Sequence, residues 1–358
     1  MKVCIIGSGL SALTLAKALV NEKIYVDILY SKKSNKNNKS RTIGISKSNL
    51  EYFNKNIINL NKIIWKIKKI EIFSDNLKNE KILNFENNKH YLFSNIKNFK
   101  LYNLLSRSLS NNKYVKIIKI KNKEKNIKKY DLIINTDYSN FLTQKYFNKK
   151  IVKKYNSFAY TTTIQHKQLL NDVATQIFTK KGPLAFLPIS KTKTSVVYSI
   201  HNQKKNQKVN IVDLIKKYNF NYKIIKIEDL DSFELKSLTL RSYYHSNILA
   251  FGDLIHKIHP LAGQGFNMTI RDTKFLLEII KKNIDLGLPL DTTINNKFEK
   301  KRKHANYIFS NGIDFIHEFF NFERKFKNSF LSKSVKILGS NQLLTKNFTK
   351  VADKGLTF

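Results

Sequence analysis

Two short stretches of this chain combine glycine, small residues and a few acids in an order that suits chemistry on a phosphate-bearing ligand. The first is Val3-Cys4-Ile5-Ile6-Gly7-Ser8-Gly9-Leu10-Ser11-Ala12. It reads G-x-G-x-x-A directly after a β-branched apolar run and directly before helical spacing of Leu13, Ala16, Leu19 and Val20. Gly7 permits a tight turn, Gly9 lets the backbone approach a pyrophosphate, and Ala12 lets helix and strand pack closely. Leu10 and Ser11 then open a helix whose free N–H groups and positive dipole end face the phosphates. The expected ligand class is a dinucleotide. The usual partner of such a turn is an acid ending the second strand, where it holds ribose hydroxyls. Here that position is Tyr30, a weaker partner, and Asp27 lies three residues too early.

The second stretch occupies residues 248–268. A buried run, Ile248-Leu249-Ala250-Phe251, delivers Gly252-Asp253, and a loop through His256, His259 and Pro260 leads to Gly263-Gln264-Gly265-Phe266-Asn267. Asp253 can accept a hydrogen bond from a ribityl hydroxyl. Pro260 and the glycines admit the close approach of a flat ring. The backbone N–H groups of Gly265, Phe266 and Asn267, at a helix N-terminus, would stabilise negative charge on a reduced isoalloxazine. His256 and His259 stand three apart with no third ligand nearby, so no metal site is expected.

This stretch resembles the G-D-A-A-H-x-x-H-P-x-x-G-Q-G-x-N motif of FAD-dependent aromatic hydroxylases of the para-hydroxybenzoate hydroxylase type. Residues 259–267 resemble the ubiquinone-biosynthesis hydroxylase branch, with Leu254-Ile255 in place of Ala-Ala. Other stretches agree. Residues 41–46 resemble R-x-x-A-L-S, placing Arg41 near the flavin and Ser46 at the start of a helix. Residues 171–178 and 182–189 resemble a segment of the substrate-domain sheet. Phe298…Arg302 and Asp314-Phe315-Ile316 resemble the C-terminal helices. The family's D-G motif survives only as Asp137 followed by Tyr138, which bears on direct NAD(P)H use. The resemblance implies hydroxylation of an aromatic ring with FAD, O2 and NAD(P)H as electron donor. It implies a polyprenylated phenol of ubiquinone biosynthesis as substrate, and other ubiquinone-synthesis proteins as partners. It leaves the cofactor to do the chemistry, so no catalytic acid or base is named. Two alternatives stand beside it: a flavin hydroxylase of soluble aromatics, and a noncatalytic subunit of a quinone-synthesis complex. Tyr30 and Tyr138 motivate the latter.

The elements that must position these residues follow from patterning. Residues 2–6, 11–20 and 24–30 read as a βαβ opening, and 31–40 as a polar loop. Residues 67–73 and 81–85 read as a hairpin, and 99–109 as a helix. Residues 116–120 and 130–134 read as strands. Residues 155–166 and 175–201 read as strand-rich, with Gly182-Pro183 as a turn. Residues 209–229 are mixed, 247–251 form a buried strand, and helices run from 263 to about 338. The expected fold is α/β: a doubly wound Rossmann-like FAD-binding domain with an inserted antiparallel-sheet substrate domain and C-terminal helices. The expected boundaries are 1–70, 95–150 and 240–290 for the FAD-binding unit, 71–94 and 151–239 for the sheet, and 291–358 for the helical region.

The chain has 358 residues, a hydrophobic fraction of 42% and a formal charge of +39. Its single cysteine, Cys4, excludes an intrachain disulfide framework and a cysteine zinc site. Lysines are spread along the whole chain, as a biased genome composition produces, and no nucleic-acid motif is present. The functional reading of the charge is attraction to an anionic membrane face. The aromatic residues in 309–326, with Phe315, Phe319, Phe320 and Phe322, read either as core cover or as a membrane or partner surface. The apolar start reads as strand and helix, not as a targeting segment. The expected location is cytoplasmic, peripheral on the inner face of the cell membrane.

Overall fold

A computed structural model describes residues 2–31, 39–77, 80–86, 90–120, 130–201, 210–260, 263–326 and 330–356. Most of the loop expected at 31–40 lies outside these residues, as do Leu261 and Ala262 of the second motif.

The apolar run Lys2–Ile6 forms the centre of a six-stranded sheet, with Val3, Cys4 and Ile5 fully buried. Tyr25–Tyr30 and then Val115–Lys119 lie parallel on one side of it. Leu132–Asn135 and Ile248–Ala250 lie parallel on the other, with Tyr244–His245 as an antiparallel edge. The chain leaves Lys2–Ile6 to one side through the helix Leu10–Asn21, and returns much later to the other. That reversal is a topological switch point, the place where open parallel sheets form a ligand crevice at their C-terminal edge. The sheet's inner strands Lys2–Ile6, Leu132–Asn135 and Ile248–Ala250 are buried, which is why they read as apolar runs, whereas the edge strand Val115–Lys119 is largely exposed.

A larger sheet follows an antiparallel plan. Its backbone is Lys150–His166, paired with Lys193–His201 and with Asp231–Leu240. Gly182–Pro188 and Val173–Thr179 extend it, and Val173–Thr179 runs parallel to Lys69–Ser74, which pairs with Glu80–Glu86. A small third sheet joins Thr42–Ser46, Phe93–Lys97 and Trp65–Ile67. The helices Gln264–Asp285 and Thr292–Phe326 close the molecule, followed by Phe330–Ser340 and Gln342–Lys354. Among the described residues, no helix is long and apolar enough to cross a membrane.

Two sequence expectations are corrected. Gly182 and Pro183 do not form the turn. They open the strand Gly182–Pro188, and the turn is at Lys180 and Lys181. Gly182 holds φ +134° and an added Cβ would lie 2.1 Å from the Ser199 carbonyl oxygen, so glycine is required by close strand approach. The helical region also runs past residue 338, to Lys354.

Candidate functional site

The site assembles at the C-terminal edge of the six-stranded sheet. Gly7 ends the first strand at φ +121°, its N–H donating to the Leu29 carbonyl at 2.8 Å. A Cβ there would lie 2.2 Å from Thr136 Oγ1, so the turn sits directly against the residue that precedes Asp137. Gly9 is the N-cap of Leu10–Asn21, and a Cβ on it would meet nothing within 4 Å. The backbone here is therefore open to an approaching group, beside N–H groups of a helix start that lacks a side-chain cap. Gly252, at φ +66°, brings the second motif onto the first: its Cβ would lie 2.5 Å from Ser11 Cβ. Asp253, next to it in a short 3-10 turn, is exposed. Gly7, Gly9, Leu10, Ser11, Asp137, Gly252 and Asp253 thus converge.

The second cluster forms around the N-terminus of Gln264–Asp285. Its N-cap, Gly263, holds a left-handed φ of +61°, and a Cβ would lie 3.3 Å from the Gly44 nitrogen. Asn267 is 1% exposed and its side chain is fully engaged. It accepts from the Ser46 N–H at 2.9 Å and from Asn49 Nδ2 at 3.1 Å, and donates to the Gly44 carbonyl at 2.9 Å. Its role is to hold the strand Thr42–Ser46 against the helix start. By helix geometry the N–H groups left free there belong to Gln264, Gly265 and Phe266, so the expectation for Asn267 moves from its N–H to its amide side chain. Phe266 packs toward Phe53, with ring centroids 6.2 Å apart. Gln264 is buried with Oε1 unpartnered among the described residues, and Pro260 is half-buried.

The remaining expected residues are Tyr30 and Arg41, and Asp27 and Asp137 have partners of their own. Tyr30 ends the second strand beside the turn, since Ile6 pairs with Leu29. Asp27 is buried and serves the sheet, accepting from Tyr130 Oη at 2.6 Å and from Lys2 Nζ at 2.8 Å. Arg41 is exposed, with its guanidinium 5.3 Å from the Phe233 ring centroid, on the large sheet. Asp137 uses its carboxylate within its own loop, accepting from the Ser139 N–H at 2.9 Å and Oγ at 2.8 Å. Tyr138 is exposed and takes a hydrogen bond from Lys150 Nζ at 2.9 Å.

The two motif histidines have separate roles. His256 Nε2 meets Asp272 Oδ2 at 2.7 Å, and Arg302 Nε donates to Asp272 Oδ1 at 2.6 Å. Burial alone would raise the Asp272 pKa, but Arg302 and His256 outweigh it and hold the carboxyl below its usual range. This buried group ties the loop to Gln264–Asp285 and Thr292–Phe326. His259 instead stacks among Tyr155 and His317, with centroids at 5.1 and 4.3 Å. Burial, followed by the neighbouring His317 and His201, keeps it well below the ordinary histidine value of 6.5. Among the described residues, no group of histidines and acids has metal-holding geometry.

Sequence reasoning missed Lys97. It is 9% exposed, and Nζ donates to the Ser40 carbonyl at 3.1 Å and to Thr163 Oγ1 at 2.7 Å. Burial brings its pKa down to about 8. It fixes the backbone just before Arg41 to the large sheet. In a chain with 65 lysines and arginines, nothing in the sequence marks this one.

This is the fold of the FAD-dependent monooxygenases. The p-nitrophenol 4-monooxygenase of Pseudomonas putida DLL-E4 matches with a TM-score of 0.78, over 99% of this chain and 98% of that one, at 12% identity. HpxO of Klebsiella pneumoniae, solved with FAD and uric acid, matches with a TM-score of 0.76, over 99% and 97%, at 11% identity. In sequence the chain is similar to ubiquinone hydroxylases. It is 25% identical over 229 residues to the mitochondrial ubiquinone biosynthesis monooxygenase COQ6 of Drosophila melanogaster, covering 52% of this chain and 48% of that protein. It is 29% identical over 154 residues to 3-demethoxyubiquinol 3-hydroxylase of Escherichia coli K12, covering 41% and 39%. Each match thus spans less than half of the relative's own length. No family model matches the chain.

Proposed function

We propose that the protein is an FAD-dependent monooxygenase that hydroxylates an aromatic ring, with a polyprenylated phenol of ubiquinone biosynthesis as substrate. The observation that carries this reading is the seating of Gly252 on Ser11, which unites the pyrophosphate turn with Asp253 beneath an open Gly9. The residues fit the cofactor: a Cβ on Gly9 would meet nothing, Asp253 is exposed, and a second helix N-terminus follows at Gly263. In this reading Gly7, Gly9, Leu10 and Ser11 hold the pyrophosphate, and Tyr30 and Asp137 flank the adenosine half. Asp253 takes a ribityl hydroxyl. Pro260, Gly263, Gln264, Gly265 and Phe266 border the ring, and Arg41 stands nearby. When bound, FAD supplies the reduction of O2 that places one oxygen atom on the aromatic ring and releases the other as water. Residues 1–70, 95–150 and 240–290 form the FAD-binding unit, 71–94 and 151–239 the substrate sheet, and 291–358 the helical region.

The ubiquinone-hydroxylase relatives support the prenylated substrate and a place in ubiquinone synthesis. Such a tail is membrane-soluble. Phe315, Phe322 and Phe348 are 68%, 55% and 61% exposed on a chain of formal charge +39, which supports peripheral binding at an anionic membrane face. Phe309 and Phe320 instead face inward, the latter stacked on Phe178. A second reading, a noncatalytic subunit of a quinone-synthesis complex, is favoured by Tyr138 and by the commitment of Asp137 to its own loop.

The test is a visible spectrum of the purified protein with FAD, then anaerobic NADH or NADPH, then O2 with a prenylated phenol. The expected result is stoichiometric flavin, bleaching by a pyridine nucleotide and a hydroxylated product. Flavin that never bleaches with either nucleotide assigns reduction to a separate reductase. Absence of flavin binding rejects the enzyme reading in favour of the noncatalytic subunit.

A further inference from the structure

The helix Lys47–Asn56 begins where the flavin-facing strand Thr42–Ser46 ends, yet its N-cap residue Ser46 makes no side-chain capping bond to it. The cap comes from the far end of the chain. Asp353 Oδ1 accepts from the Ser48 N–H at 2.8 Å, and the Asp353 carbonyl accepts from Ser46 Oγ at 2.9 Å and Ser48 Oγ at 3.0 Å. A carboxylate at this position satisfies an orphan donor and meets the positive end of the helix dipole. The same helix start is gripped from the other side by Asn267, through the Ser46 N–H and Asn49 Nδ2. Two residues beyond Asp353, Gly355 lies against Arg271, where an added Cβ would come within 2.5 Å of Nη1. Leu356 packs on the cluster of Met268, Phe309 and Ile313.

We infer that Asp353 is a positioning residue for the flavin ring, acting as a cap in trans. It fixes Ser46 and Ser48, and through them holds Gly44 against Gly263 at the helix start that borders the ring. The inference rests on the flavin reading above and adds a residue that touches neither cofactor nor substrate. Without the cap, the strand and the start of Gln264–Asp285 lose a shared anchor, and affinity for the ring falls while the sheets remain intact.

The experiment titrates FAD into apoprotein by fluorescence, and follows hydrogen exchange at the Ser48 amide of the apoprotein. Asp353→Ala is expected to weaken FAD binding about fivefold and to speed Ser48 exchange by a similar factor, because aspartate-to-alanine cap losses are of that size. Asp353→Asn keeps an acceptor that caps as well, and stays within about twofold of the parent. If Asp353→Ala does not fold, Ser48→Pro removes the bonded N–H at a first-turn position that tolerates proline and is expected to show the same loss. Parent-like FAD affinity in these variants overturns the inference. So does an asparagine variant as weak as the alanine one, since that would assign the effect to net charge. A parent that binds no FAD refutes the flavin reading instead, and Ser48 exchange in the apoprotein then decides whether Asp353 caps.

Discussion

The crevice proposed to hold FAD has a ring end and an adenosine end, and the two are built differently. At the ring end, Gly263, Gly44, Asn267, Ser46, Asn49 and Asp353 form one continuous set of contacts, drawn from three distant parts of the chain. At the adenosine end, Tyr30 stands where an acid is usual, and Asp137 hydrogen-bonds its own loop. The first end is over-determined by buried hydrogen bonds. The second is a surface with few side chains fixed toward a ligand. On the proposed reading, affinity for the dinucleotide is expected to come from the pyrophosphate turn and the ring, with the ribose contributing little.

The largest expected effect lies at the ring end. Asn267→Ala removes the buried partner of the Ser46 N–H and of the Gly44 carbonyl, and one of the two acceptors of Asn49 Nδ2, which keeps Ser46 Oγ. Unsatisfied buried groups cost about 1–3 kcal/mol each before relaxation. A net loss of about 3 kcal/mol is expected, seen as roughly a hundredfold weaker FAD binding by fluorescence titration. Near-parental binding would break the contrast between the two ends.

Acid sharpens it next. His259 lies just ahead of Gly263 and its pKa is depressed in the folded protein. In the unfolded chain the imidazole takes a proton as pH falls through 6.5, while the folded form refuses it, so stability is lost below that value. The parent is expected to lose about 1 kcal/mol more than His259→Phe between pH 7.5 and 5.5, in urea unfolding followed at each pH. Equal losses in the two proteins would place the acid sensitivity elsewhere.

The smallest effect has the opposite sign. Tyr30→Glu restores a strong acceptor at the end of the second strand. At this half-buried position the gain of a hydrogen bond is offset in part by desolvation of the carboxylate, leaving about 0.7 kcal/mol, so FAD binding is expected to tighten about threefold. No gain would mean that the ribose lies out of reach of this strand, and that the weakness of the adenosine end is geometric rather than chemical.

Much of this was legible in the sequence, for a local reason. Lys2–Ile6, Leu10–Asn21 and Tyr25–Tyr30 are adjacent in the chain, and their glycine turn has a spacing set by backbone sterics. The same holds for Gly252 and Gly263, each preceding a helical turn with φ above zero. The reading of Asp27 as misplaced also agrees with its burial beneath Tyr130 and Lys2. What stayed hidden depends on pairing at a distance. Thr42–Ser46, Phe93–Lys97 and Trp65–Ile67 are short strands whose pairings span about fifty and about thirty residues, so periodicity alone cannot register them. The link from Asp353 to Ser48 crosses 305 positions, and an aspartate near a terminus carries no mark of the helix it caps.

The order of strands has a consequence for how the molecule is made. Lys2–Ile6 is made before its neighbour Leu132–Asn135, which arrives some 130 residues later, and Ile248–Ala250 follows later still. Until Leu132–Asn135 arrives, one edge of an apolar strand, the edge not paired with Tyr25–Tyr30, stays open, and loop closure over such separations is slow. The proposed ligand crevice therefore forms only once Ile248–Ala250 has been made, and a cofactor cannot template the earlier folding of the turn proposed to hold it. Protection of the open edge of Lys2–Ile6 is needed until Leu132–Asn135 pairs with it, and products lacking residues beyond 250 are expected aggregation seeds rather than small working domains.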